Sequence, residues 1–165
     1  MQPSHLKPDG YVEFQELEYR PRCGDTLLPD TPHAFRDYLS HMKVGLQIYS
    51  GTDIDAVRKL SDELKVAGFQ DVQTTARKCP LGSWSGKGRD VQEMNLGGML
   101  LKAVFLDGLT GVSRRPFMAL GWTEQQIEMF LIDVRKAIVN PEMHVYFNLH
   151  VVYGKKPLLP VECGK

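Results

Sequence analysis

The chain has 165 residues, 42% of them hydrophobic, with 20 Lys+Arg balancing 20 Asp+Glu. Zero net charge and a pI near 7 argue against a dedicated nucleic-acid or acidic-membrane binder, which needs a basic surplus or patch. The length fits one globular domain over residues 1–165.

Cys23, Cys79 and Cys163 lack CxxC spacing and read as reduced intracellular thiols. The N-terminus has no apolar signal region. No stretch approaches the roughly 18–20 uncharged apolar residues of a membrane span. The expectation is a soluble cytoplasmic or nuclear chain with no membrane or nucleic-acid partner.

Pro8-Asp9-Gly10 is a turn. A strand follows over about Tyr11–Tyr19, with Val12 and Phe14 on one face and Leu17 and Tyr19 on the other. Apolar residues on both faces suit a central strand, or a bulge near Gln15 shifts the phase. Arg20–Asp30 reads as a loop. Thr31-Pro32 starts a helix whose stripe is Phe35, Leu39, Met42 and Leu46, ended by Ser50-Gly51.

A second helix runs from about Asp53 to Ala67, with Ile54, Val57, Leu60 and Leu64 inward. Gly68 stands where a left-handed cap belongs, and Phe69 packs back on the last turn. Residues 71–79 form a strand. After a Gly- and Ser-rich loop, an apolar helix spans roughly Asp90–Leu109, and Ser113 caps a short helix through Leu120. Thr123 and Gln126 form a capping box for a helix through Ile138, with Trp122 as its staple. The last strand, within 143–157, sets Val145, Phe147, Leu149, Val151 and Tyr153 on one face. Tyr146, Asn148, His150 and Val152 take the other, and Gly154 and Pro157 stop the strand.

Few motifs carry chemistry. Gly97-Gly98 lies inside a helix pattern and reads as close packing rather than a phosphate turn. Gly82, Gly86 and Gly88 lack a P-loop ending and read as a surface loop. The histidines lack metal-ligand spacing, and no nucleophile elbow exists. Arg114-Arg115 reads as solvated surface.

Glu13, Glu16 and Glu18 are more informative, because carboxylates on a central strand are costly unless they sit at its end or face a cavity. If this strand ends at the ligand crevice of an open α/β sheet, Glu16, Glu18 and Tyr19 point into or beside it. The alternative is a strand that emerges into solvent. Trp84, in the glycine-rich loop, is either a substrate contact or core packing.

The order turn, strand, helix, helix, strand, helical insertion, strand now carries a resemblance. "LKPDGYVEFQELEYRPRC" resembles the turn and fifth strand of class I S-adenosylmethionine-dependent methyltransferases. "LSDELKVAGFQDV" is similar to the next helix and sixth strand, and "HVYFNLHVVYGKKP" to the last, antiparallel strand. "PLGSW", "LGW" and "IEMFLIDVRKAI" resemble the fungal branch of secondary-metabolism regulators and small-molecule methyltransferases.

The resemblance implies an α/β fold: a partial Rossmann-like sheet of three C-terminal strands, the last antiparallel and inserted in the middle, with helical insertions. It implies methyl transfer from S-adenosylmethionine to a small-molecule or unknown acceptor, in secondary metabolism. Residues 1–165 then form a truncated methyltransferase domain lacking the N-terminal donor-binding half. No residue corresponds to the family's cofactor-binding Gly-x-Gly turn or ribose acid, so the isolated chain is expected to be inactive. Glu16, Glu18, Tyr19 and Trp84 are its substrate-side candidates. The opening strand, 11–19, is expected to keep one unpaired edge, open to a protein partner or to self-association.

Overall fold

The computed structural model describes residues 6–23, 26–27, 33–83 and 89–158. Trp84, Gly86, Gly88, Cys163 and the Thr31-Pro32 helix start lie outside the described residues. The elements in chain order are β1 (Tyr11–Cys23), β2 (Thr26–Leu27), α1 (Ala34–Ser50), α2 (Val57–Val66), β3 (Gln70–Pro80), α3 (Arg89–Ala119), α4 (Glu124–Val139) and β4 (Val145–Lys155).

The sheet order is β2-β1-β4-β3, so the last strand lies between the first long strand and the middle one, as expected. Backbone bonds set its direction. Asp9 N–H donates to the Lys156 carbonyl and Lys156 N–H to that of Gly10. Eight residues further along β1, the Glu18 carboxylate meets the Asn148 amide. Residue numbers rise on β1 as they fall on β4, so the pair is antiparallel. On the other flank, Leu81 N–H donates to the Val145 carbonyl, and Gly154 lies against Phe69 and Val72. This pair is antiparallel too, which leaves β1 and β3 parallel to each other.

Two compact units emerge: Met1–Glu18, Asp55–Arg77 and Asn148–Lys165 in the first, Tyr19–Ile54 and Lys78–Phe147 in the second. The first unit has α2 and parts of three strands. Its core is Leu64, Phe69 and Val152, with Leu6, Val12, Phe14, Leu60 and Val72 packed around it. The α2 terminus explains Phe69. Gly68 takes φ 87°, its N–H donates to Lys65, and Phe69 N–H reaches the Leu64 carbonyl. This pair of bonds is the Schellman arrangement, and it turns Phe69 back onto Leu64.

The second unit holds α1, α3 and α4. Phe35, Leu109, Phe117, Leu131, Val134, Ile138 and Phe147 are its fully buried anchors. Each stabilises the fold by about 1.5–3 kcal/mol through burial alone. Phe105 stacks on Phe147 at a centroid distance of 5.7 Å, and Phe35 meets Phe147 edge-on at 6.2 Å. Gly45 of α1 lies against the Pro116 carbonyl of α3, where a Cβ would clash. The Thr123–Gln126 capping box is present in full.

Several expectations need correction. β1 does not stop at Tyr19 but runs to Cys23, and Arg22 and Cys23 pair antiparallel with Leu27 and Thr26. Pro21 is tolerated because, among the described residues, no strand lies on the outer side of β1 before that short pairing. Ser113 does not cap a new helix: α3 is continuous and even contains Pro116. The buried Ser113 hydroxyl instead bonds the Leu109 carbonyl of the preceding turn.

Gly154 does not end β4; it sits inside the strand, where a Cβ would meet that of Phe69 at 3.1 Å. Of the glycine pair in α3, only Gly98 is closely packed, and against the Pro80 and Gly82 carbonyls rather than another helix. Val91–Ala119 is long and apolar enough to cross a membrane by length and composition, and its Leu96, Met99, Leu100 and Val104 are exposed.

Candidate functional site

Side chains alternate across a strand, so even-numbered residues of β1 share one face. In the antiparallel register Glu18 stands opposite Asn148 and diagonal to His150. The carboxylate is buried, with 5% of the residue exposed. One oxygen accepts from the Asn148 amide at 3.2 Å and lies 3.5 Å from His150 Nε2. The other lies 3.7 Å from Arg58 Nε at the start of α2. An amide, an imidazole and a guanidinium thus converge on one carboxylate in the first unit. The Arg58 guanidinium offsets the buried charge, and the Asn148 amide orients the carboxylate.

The sequence-derived candidates separate here. Glu18 is the buried member. Glu16 is on the same strand face but exposed. Tyr19 takes the opposite face by strand alternation, its ring 6.3 Å from that of Phe147 in the second unit. Trp84 is outside the described residues. Asn148 and His150 share a strand face in the sequence pattern, but their link to Glu18 spans 130 and 132 residues, so no local signal marks it.

The second unit has an aromatic cluster that the sequence reading missed. His41 of α1 lies within 5.2–5.8 Å of the Phe117, Trp122 and Phe130 rings. Its Nδ1 is 2.6 Å from the Asp37 carbonyl one turn back, which makes Nδ1 the donor. Trp122 reaches this cluster because Gly121 turns at φ 85° and Trp122 N–H donates to the Phe117 carbonyl. Nearby, the Tyr38 and Ser113 hydroxyls are bonded at 3.1 Å in the interior. Burial pushes the Tyr38 phenol up from its ordinary value.

A methyl donor of the nucleoside type needs backbone N–H groups at a glycine turn between a strand and a helix. The described glycine in such a position is Gly82, after β3, and its N–H donates to the Gly98 carbonyl. At Gly82 the described residues therefore offer no free backbone N–H for such a donor. Among them, no three His, Cys, Asp or Glu side chains gather as a metal site.

No family model matches the chain. Over 155 residues, 93% of its length, it is 27% identical to the methyltransferase pytC of Aspergillus terreus and spans 46% of that protein. It is 27% identical over 156 residues to the secondary metabolism regulator laeA of Aspergillus fumigatus, and to the protein-methionine methyltransferase laeA of Emericella nidulans. In both cases 94% of this chain and 40% of the relative are covered. The chain is a distant homologue of these fungal methyltransferases. It spans less than half the length of the relatives it matches, consistent with placement as their C-terminal half.

Proposed function

We propose that this chain is the acceptor-side half of an S-adenosylmethionine-dependent methyltransferase of fungal secondary metabolism. One combination carries this reading: an antiparallel last strand between the other two, in a chain aligned over 93% of its length with a methyltransferase. In this reading the donor is held by residues supplied from outside these strands, since Gly82 is already engaged. The half described here contributes walls for an acceptor, and catalysis by the assembled enzyme is largely positioning and exclusion of water.

The test is complementation. The donor half of the Aspergillus terreus relative is co-expressed with this chain or fused to it. Co-purification and donor binding by the pair support the reading. A pair that folds together but binds no S-adenosylmethionine contradicts it.

A second reading rests on the β1 edge. Among the described residues, Arg22 and Cys23 pair with β2, and no further strand follows on that side in the sheet order. Such an edge suits strand addition by a protein partner or a second copy. In that case the chain is a non-catalytic interaction module. Light scattering at micromolar concentration separates the two: a monodisperse monomer weakens this reading, and a dimer lost on introducing Glu13→Pro or Gln15→Pro, at exposed positions of β1, supports it.

A further inference from the structure

We propose that the cavity between the ends of α1 and α3 binds a small carboxylate with a flat apolar body. Its volume is about 610 Å³, and Tyr49, Arg114, Arg115, Met118 and Ala119 line it. That is within the roughly 300–1,000 Å³ of ordinary small-molecule sites.

The two arginines differ in what they have left to offer. Arg114 is held by Glu124 at the start of α4, which neutralises it. Arg115 has no carboxylate partner among the described residues. Its guanidinium is 5.9 Å from the Tyr49 ring centroid, with Nη1 3.5 Å from the Tyr49 hydroxyl. Cation–π contact fixes the guanidinium plane without neutralising its charge. The remaining N–H groups form a fork suited to bidentate carboxylate binding. Tyr49 and Met118, both about half exposed, supply an aromatic face and a polarizable thioether for the apolar body.

Two helix C-termini wall this cavity, and free carbonyls there would repel an anion. Several are already bonded. Ser50 Oγ donates to Leu46, and Gly51 N–H to Gln47. On α3, Leu120 and Trp122 N–H donate to the Phe117 carbonyl, and Gly121 N–H donates to Met118. Arg115 is thus the dominant unneutralised charge facing the space.

The test uses the full chain and two probes of the same shape, 2-naphthoate and neutral 2-naphthamide. Amide resonances are followed by NMR during titration. The expected result is saturable naphthoate binding that shifts Tyr49, Arg115 and Met118, with naphthamide about tenfold weaker. Arg115→Gln should abolish the difference between the probes. Arg115→Lys should keep part of it, since it keeps charge but not the fork. Equal binding of the two probes, shifts centred on other residues, or no shifts up to about 5 mM would overturn the assignment. None of these outcomes depends on methyl transfer, so failure here leaves the acceptor-half reading to its own test.

Discussion

The Asn148 amide donates to the Glu18 carboxylate across two neighbouring strands, at 3.2 Å. The pair fixes register as well as polarity: a slip of one residue would turn Glu18 to the other face of the sheet. Removing one partner leaves a buried polar group unmet, whereas removing both need not. Glu18→Leu should destabilise the chain by about 2–3 kcal/mol. Glu18→Leu with Asn148→Leu should cost clearly less than the sum of the single changes. Urea unfolding of the four proteins measures this; strict additivity would remove the coupling.

Adjacent glycines of α3 should respond in opposite directions. A Cβ at Gly97 meets nothing within 4 Å, while at Gly98 it meets the Pro80 and Gly82 carbonyls. Gly97→Ala should raise stability by about 0.5–1 kcal/mol through helix propensity. Gly98→Ala should lower it by about 1–3 kcal/mol, because backbone must move to admit the methyl group. Thermal midpoints of the two variants decide the matter, and equal shifts would contradict the packing described.

Burial raises the Tyr38 phenol above its ordinary value of 10.0, with the Ser113 hydrogen bond acting the other way. The folded state therefore holds this proton more tightly than the unfolded chain. The resulting stability is fully present below about pH 10 and is lost as pH rises through the folded value. Lys155 is also raised, chiefly by its hydrogen bond to Asp9, and its contribution fades in the same direction. Thermal midpoints between pH 8 and about 11.5 should fall at the alkaline end. Tyr38→Phe should flatten that fall while leaving the Lys155 part; an unchanged alkaline slope would contradict the assignment.

The cysteines should label in sequence. Cys23 is exposed and Cys79 partly buried, and burial pushes the Cys79 thiol up. Less thiolate and less access both slow alkylation. Mass mapping after iodoacetamide treatment near pH 7.5 should find Cys23 modified well before Cys79. The reverse order would be inconsistent with this burial.

Local signals were legible in the sequence where one turn of chain decides them. Gly68 with Phe69, and Thr123 with Gln126, need only neighbours to work, and the structure shows both. So does the alternation of β4, because a strand buried on both faces is apolar on both. The order of the three long strands followed from the family resemblance rather than from any residue pattern.

What depended on distant partners was not legible. Ser113 reads as a cap until its hydroxyl is seen bonded to Leu109 and Tyr38 in the interior. Pro21 reads as a loop residue until β1 is seen to run through it, with no strand beside it there among the described residues. Of the site, Glu18 stood out only together with Glu13 and Glu16, as carboxylates costly on a central strand. Its partners come from 130 and 132 residues away on β4, and from α2. Strand alternation then separated it from Tyr19, which composition and spacing had grouped with it.

The most direct test of the acceptor-half account is calorimetric titration of the 165-residue chain with S-adenosylmethionine. The account predicts no saturable heat for the chain alone, and binding once a donor half is supplied. Micromolar binding by the isolated chain would contradict it.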